Sequence, residues 1–234
     1  MRLDAVARFF QDVADDDARE VGLGGRTAWV VRRTRLELHA PARYGERVDL
    51  VTWCSGTGPR WAERRTSLGG DAGARVEGVS VWVHVDMGSG APIRLGPTFH
   101  EAYDTAAGGR RVRASLLHSA VPAAAVRRSW PIRFADFDVM GHVNNAAYWQ
   151  VVEEVLADGR QAADGPSGPM WAEVEYRQGV GRGDDLVLAV AALDDGGVGT
   201  WFEVDGIVRA TAMAGPLAAG HHAGTGKGSG AGQR

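Results

Sequence analysis

Sulfur chemistry is almost missing from this chain. Its one cysteine, Cys54, has no partner for an internal disulfide and leaves no thiolate cluster for zinc. That points to a reducing compartment and a cytoplasmic protein. Long apolar runs are lacking too: none approaches the roughly 20 residues a membrane-spanning helix needs. The N-terminal MRLDAVARFF runs straight into acidic residues, without the apolar block of a signal peptide. No charge of one sign dominates, and a formal net charge of −3 gives no global attraction to nucleic acid or anionic lipid. No G-x-S-x-G elbow occurs, which argues against an α/β-hydrolase. What is present suits a folded chain: 44% of the 234 residues are hydrophobic and 24% charged, which excludes wholesale disorder. The length allows one large domain or two small ones.

The spacing of Leu3, Val6, Ala7, Phe9, Phe10, Val13, Ala14 and Ala18 predicts a half-buried helix over about residues 3–21, stopped by Gly22, Gly24 and Gly25. Strand-like stretches follow at Ala28–Leu38, Val48–Cys54, Arg60–Leu68 and Arg75–Val85, rich in Val, Trp and Thr and parted by Gly-containing turns. One helix and an antiparallel sheet make an α+β unit, residues 1–100. Residues from about Pro97 to Ala125 show little periodicity, and 101–125 reads as a linker. The pattern then restarts over 126–216: a strand at Trp130–Ala135, a helix from Asn145 to about Asp158, and strands near Met170–Gln178, Leu186–Leu193, Gly199–Val204 and Ile207–Met213. The first unit lacks the strand that precedes the helix in the second, either because it is absent or because the natural beginning lies upstream. The Gly-rich residues 217–234 are expected to be a disordered tail.

Chemistry concentrates in Arg133-Phe-Ala-Asp-Phe-Asp-Val-Met-Gly-His-Val-Asn-Asn-Ala-Ala-Tyr148. A polar loop carrying Asp136, Asp138, Gly141 and His142 leads into a helix that Asn144 or Asn145 can cap. Free N–H groups at a helix start suit a carbonyl oxygen that becomes negative during attack. Asp138 supplies a base or nucleophile beside them, and His142 an orienting group.

The string D-x-D-x-x-G-H-V-N-N-x-x-Y at a helix opening resembles the signature of hot-dog thioesterases. The whole chain, over about residues 3–215, looks like the acyl-acyl carrier protein thioesterase family. The resemblance implies two tandem hot-dog units, each a helix wrapped by an antiparallel sheet, arranged as a pseudo-dimer. It implies hydrolysis of a fatty-acyl thioester, on acyl carrier protein or on coenzyme A, with no metal and no redox cofactor. Asp138 matches the active-site aspartate that related 4-hydroxybenzoyl-CoA thioesterases also hold, and His142 with Val-Asn-Asn matches the histidine segment. Two positions depart. The plant-type enzymes have an asparagine where this chain has Met140, and a glutamate followed by cysteine where it has Gln178 and Gly179. An amide cannot take a proton from water at neutral pH, and Gly179 rules out a cysteine nucleophile there.

The expected catalytic set is therefore Asp138, His142 and Asn145, with Asn144, Gly141 and Gln178 contacting substrate. Asp138 either attacks the carbonyl carbon or activates a water. A non-catalytic acyl-binding protein and a hot-dog dehydratase are the alternatives. Either a monomer or a homodimer suits a pseudo-dimeric chain. His84 and Asp86 alternate on one strand without a third ligand, and the tail's Gly226-Lys227-Gly228-Ser229 lacks the frame of a phosphate loop. The arginine runs Arg32-Arg33-Arg35, Arg64-Arg65, Arg110-Arg111-Arg113 and Arg127-Arg128 could steer an acidic carrier.

Overall fold

The computed structural model describes residues 1–158 and 168–217. The expected tail lies, after Leu217, outside the described residues. Helix α1 spans Leu3–Glu20 and buries Leu3, Val6, Ala7, Phe10 and Ala14, one side of the cylinder. Phe9, one step round from that side, stays 43% exposed. Four strands follow: β1 (Thr27–Ala40), β2 (Val48–Thr57), β3 (Trp61–Gly70) and β4 (Arg75–Asp86). The second half runs β5 (Val126–Ser129), a short 3-10 turn (Phe134–Asp136), α3 (Ala147–Asp158), β6 (Met170–Tyr176), β7 (Leu186–Ala192), β8 (Val198–Val204) and β9 (Ile207–Pro216).

The nine strands among the described residues join one antiparallel sheet in the order β2-β3-β4-β1-β6-β9-β8-β7-β5. Each unit repeats one plan: the strand after its helix pairs with the last strand of its own unit. The two units meet where β1 lies against β6, from Arg33 opposite Glu175 to Leu38 opposite Met170. The helices meet as well, for the Leu3 N–H donates to Glu153 Oε1 at 2.7 Å and Gln150 Nε2 to Asp4 Oδ2 at 3.0 Å. Both bury their apolar sides in a core that includes Leu36, Leu68, Val76, Val174, Leu188 and Phe202. Each such side chain contributes about 1.5–3 kcal/mol when fully buried. Gly78 on β4 makes room for α1, since a Cβ there would lie 2.2 Å from Phe10 Cε2. No helix among the described residues is long and apolar enough to cross a membrane.

Two expectations need correction. Residues Pro97–Ala107, inside the stretch read as aperiodic, form helix α2. Its buried residues Phe99, Tyr103 and Ala107 recur only every fourth position, too thin a stripe to stand out in sequence. The strand expected at Trp130–Ala135 lies earlier, at Val126–Ser129. The Trp130 N–H still bonds to the Leu186 carbonyl at 2.8 Å, but Pro131 has no N–H to continue the ladder, and the chain turns away.

Between α2 and β5 the chain crosses the outer face of the sheet. The Thr57 carbonyl accepts the Val112 N–H at 3.1 Å, and the Arg33 guanidinium holds the Ser115 carbonyl at 3.3 Å. Trp201 Nε1 donates to the Ser119 carbonyl at 2.9 Å. Val121 and Ala125 then pack on Trp201 and Met213.

Candidate active site

The loop after the 3-10 turn folds tightly on itself. Asp136 is buried, and its carboxylate accepts the Arg133 N–H at 2.8 Å and pairs with the Arg133 guanidinium at 2.8 Å. Its carbonyl takes the Asn144 N–H at 2.7 Å. Asp136 thus ties the loop's two ends together. The Asp138 N–H donates to the His142 carbonyl at 2.9 Å, and its carbonyl accepts the Gly141 N–H at 3.1 Å. Asp138 Oδ1 takes the N–H groups of Met140 at 2.9 Å and His142 at 3.3 Å. Gly141 closes this turn at φ +79°, in the left-handed region. The Asp138 carboxylate is half-buried, whereas Val139 and Met140 at the loop tip are exposed.

Beyond the turn the chain pairs briefly with the segment after β6. His142 bridges to Gly181, and the Val143 N–H donates to the Val180 carbonyl at 2.8 Å. This rung lays the His142 imidazole on Gly179, where a Cβ would lie 2.8 Å from Cδ2 and 3.2 Å from Nε2. The missing Cβ at Gly179 thus leaves the space that the ring occupies. Gln178, exposed, stands next to it, its N–H held by the Arg209 carbonyl at 3.0 Å. Asn144 caps α3: its Oδ1 accepts the Ala146 N–H at 2.9 Å and its carbonyl the Ala147 N–H at 2.8 Å. The helix starts at Ala147, two residues later than expected, and these bonds leave the Asn145 N–H free of the cap. The Asn145 carbonyl accepts the Tyr176 hydroxyl at 3.0 Å, which in turn accepts Trp149 Nε1–H at 3.1 Å. So the fold gathers Asp138, Gly141, His142, Gln178 and the start of α3 at one place. The Asn144 side chain serves the cap.

Residues 1–103 match the model of the Acyl-ACP thioesterase N-terminal domain, and residues 120–206 that of the Acyl-ACP thioesterase C-terminal domain. The chain belongs to the acyl-ACP thioesterase family. It is a thioester hydrolase, and the family's reaction is the hydrolysis of fatty-acyl thioesters. Among curated relatives, the uncharacterized protein Rv2001 of Mycobacterium tuberculosis is 28% identical over 214 residues, covering 91% of this chain and 84% of its own. Among solved structures, the 12:0-ACP thioesterase from Umbellularia californica superposes with a TM-score of 0.73 at 19% identity, covering 92% of this chain and 89% of that one. An acyl-ACP thioesterase from Bacteroides thetaiotaomicron gives 0.71 at 17% identity, with 92% and 89% covered. At these identities the likeness concerns the double hot-dog fold.

Two features of this acyl-ACP thioesterase family member escape sequence reasoning. The first is a cavity of about 330 Å³ between α1, the inner face of the sheet and α2, lined by Trp29, Cys54, Trp82, Phe99 and Tyr103 among others. Burial raises the Cys54 thiol above its ordinary value, as expected for an inert core cysteine. Arg64 crosses the cavity wall to Asp17 Oδ2 at 2.6 Å, and the Tyr103 hydroxyl donates to the same oxygen at 2.6 Å. Burial first, then that bond to Asp17, push the Tyr103 hydroxyl up to about 12.

The second feature is a clamp on the outer face. His118, on the crossing segment, puts Nε2 3.1 Å from Glu173 Oε1 and Nδ1 2.8 Å from Thr211 Oγ1. The buried Glu175 accepts the N–H groups of Leu117 and His118. His118, Glu173 and Glu175 come close enough to resemble a cation site. However, the two carboxylates approach opposite ring nitrogens, so the trio does not converge on one point and acts as a hydrogen-bonded clamp. Burial alone would raise Glu173; the His118 bond and the Arg33 charge outweigh it and hold the carboxyl below its ordinary range. The signal in sequence was two glutamates two apart on a strand, hence on one face.

Proposed function

We propose that the Asp138 loop cleaves acyl thioesters carried on acyl carrier protein, and on coenzyme A as well. One observation carries the reading: a half-buried carboxylate held by two backbone amides in the turn that delivers His142 to Gly179 and leads into α3. Asp138 Oδ1 is engaged by those amides, which leaves Oδ2 for chemistry. In one route the carboxylate attacks the carbonyl carbon, the carbon–sulfur bond breaks, and the sulfur leaves as thiol after taking a proton from solvent water. Water then cleaves the resulting anhydride to free acid and restored Asp138. In the other route Asp138 removes a proton from water as its oxygen adds to the carbonyl; the carbon–sulfur bond of that adduct then breaks, and the proton passes from Asp138 to the departing sulfur. Either way negative charge grows on the thioester oxygen, which the Asn145 N–H at the start of α3 receives. His142 orients the thioester and its leaving sulfur, Gly141 lets the chain pass close to substrate, and Gln178 hydrogen-bonds a water without taking its proton.

The acyl chain enters the aromatic-lined cavity under α1 and α2. By register this cavity sits at the correct end of the sheet: Thr27–Trp29 of its wall precede Arg33, which faces Glu175, and Gln178 follows Glu175 in the opposite direction. We place the reaction in the cytoplasm, with the one cysteine reduced and buried. A thiol-release assay over acyl chains of increasing length, on both carriers, tests the reading. Free acid and free thiol in equal amounts are expected. Absence of thiol release on every substrate, or an enoyl thioester as product, would overturn it.

A further inference from the structure

The cavity under α1 and α2 is not lined for a plain hydrocarbon chain throughout. Trp29, Cys54, Trp82 and Phe99 give it apolar walls, but Arg64 of β3 and Tyr103 of α2 belong to the same lining. Arg64 faces inward because it stands two and four residues before Thr66 and Leu68, both buried. Its side chain is only 12% exposed. A guanidinium so placed is costly unless it is paired, and Asp17 Oδ2 at 2.6 Å supplies the opposite charge. The Tyr103 hydroxyl donates to that same oxygen at 2.6 Å and receives Arg64 Nη2–H at 3.4 Å. Arg64 Nη1–H reaches Thr52 Oγ1 at 3.3 Å.

These contacts leave hydrogen-bonding capacity unused. Arg64 engages its partners through Nη1 and Nη2, and its Nε–H has no acceptor among the described residues. Tyr103 spends its one proton on Asp17, so toward the cavity its oxygen acts as an acceptor. A donor and an acceptor side by side match a hydroxyl group, which is both. The wall is also neutral, for Asp17 balances Arg64, and Glu63 in the same lining is held by Arg110 and Ser55. A second carboxylate would therefore gain no net attraction there. The register sets how far this wall lies from the chemistry. Arg64 stands opposite Ser80 of β4, Ser80 opposite Thr34 of β1, and Thr34 opposite Val174 of β6. Those three inter-strand spacings come to about 14 Å, and Gln178 lies further along. A group that meets Arg64 is thus well down the acyl chain, not beside the thioester.

We propose that Arg64 and Tyr103, held by Asp17, form a hydroxyl-recognising subsite in the acyl cavity, so that the protein prefers acyl chains bearing a hydroxyl remote from the thioester. The unused Arg64 N–H donates to the hydroxyl oxygen, and the hydroxyl proton goes to the Tyr103 oxygen. A plain chain of the same length strips water from both groups and returns no bond, which a site built from polar groups penalises. The assignment rests on the reading that the acyl chain occupies this cavity and deepens it by naming the substrate class.

The test measures kcat/KM for coenzyme A thioesters of one chain length, either unsubstituted or carrying a hydroxyl at successive carbons. The proteins are the wild type, Arg64→Met, Arg64→Lys, Tyr103→Phe and a control, Arg65→Met. Arg65 is the next residue of β3, faces the other way and is 41% exposed. The wild type should favour the best-placed hydroxyl over the unsubstituted chain by about tenfold, the scale of one bond to a charged group. Arg64→Met should abolish that preference and Tyr103→Phe should reduce it, whereas Arg65→Met should keep it. Should Arg64→Met not fold, Arg64→Lys keeps the charge for Asp17 without the planar fork and should still lower the preference. A wild type that treats no hydroxyl position better than the plain chain would overturn the proposal, whatever the variants do. So would a preference that survives every change at Arg64, a best position beside the thioester, or a stronger preference for a terminal carboxylate. Binding of the free hydroxylated and plain acids, followed by the fluorescence of Trp29 and Trp82 in the walls, needs no turnover. Arg64-dependent discrimination without thiol release would sink only the hydrolytic reading, whereas thiol release without discrimination would sink only the subsite.

Discussion

Substituting Gly179 by alanine probes the site's geometry through a single methyl group. The added Cβ would sit 2.8 Å from His142 Cδ2, 3.0 Å from Cγ and 3.2 Å from Nε2. Ordinary carbon contacts begin near 3.5 Å, so the ring must retreat by roughly 0.5–1 Å. His142 is exposed, so it can swing outward without disturbing the core, and the fold should lose less than about 1 kcal/mol. Catalysis is less tolerant, because a misplacement of about 1 Å in a positioned group costs on the order of 100-fold in rate, near 2.7 kcal/mol of barrier. The experiment measures kcat/KM for a thioester alongside thermal unfolding. A 30- to 100-fold loss is the expected order of magnitude, with Tm shifted by only a few degrees. Unchanged kcat/KM would refute the claim that the imidazole must rest on Gly179. A loss that merely tracks unfolding would refute it equally.

Gly78→Val should destabilise the protein by roughly 2–4 kcal/mol, in the range of severe overpacking, because the new side chain enters the space of Phe10; chemical denaturation reads this, with activity of the surviving folded fraction unchanged. His118→Ala removes the bonds to Glu173 and Thr211 and should cost roughly 1–3 kcal/mol. Proteolysis near Leu117 should also accelerate as the crossing segment loosens, and wild-type resistance would contradict the clamp. Glu63→Gln tests pH dependence. Burial would raise the Glu63 carboxyl, but the bonds from Arg110 and Ser55 outweigh it and hold it below its ordinary value. A depressed carboxyl stabilises the fold above the unfolded value of about 4.3 and loses that contribution as pH falls through the folded value. The stability gap between wild type and Glu63→Gln should therefore be larger at pH 7 than under strong acid, and a pH-independent gap would contradict the assignment.

Much of this architecture is legible in the sequence because period-2 burial is written directly into the strands. Leu36 and Leu38 point inward while Arg35 and Glu37 point outward, and β6 repeats the pattern with Ala172 and Val174 against Glu173. The polar loop before α3 could be read because turn, cap and helix start leave local marks. Helix α2 could not, since its three buried residues complete a core whose other members, such as Cys54 and Trp29, come from distant strands. The same holds for the clamp. Glu173 and Glu175 are paired by His118, more than 50 residues away, and only the path of the crossing segment brings it there. Neighbouring arginines within a run point to opposite faces of a strand and find separate partners, Arg127 on Glu203 and Arg128 on Asp158.

The central claim is that the Asp138 carboxylate drives thioester cleavage. The most direct measurement is single-turnover hydrolysis of an acyl thioester by Asp138→Asn, alongside its unfolding midpoint. An asparagine oxygen keeps the acceptor for the Met140 and His142 amides, so the turn and the fold should survive. Neither attack nor proton removal is then available, and the rate should fall by at least about 1,000-fold, the scale of losing a general base together with its alignment. A well-folded Asp138→Asn enzyme that cleaves the thioester at the wild-type rate would contradict the account.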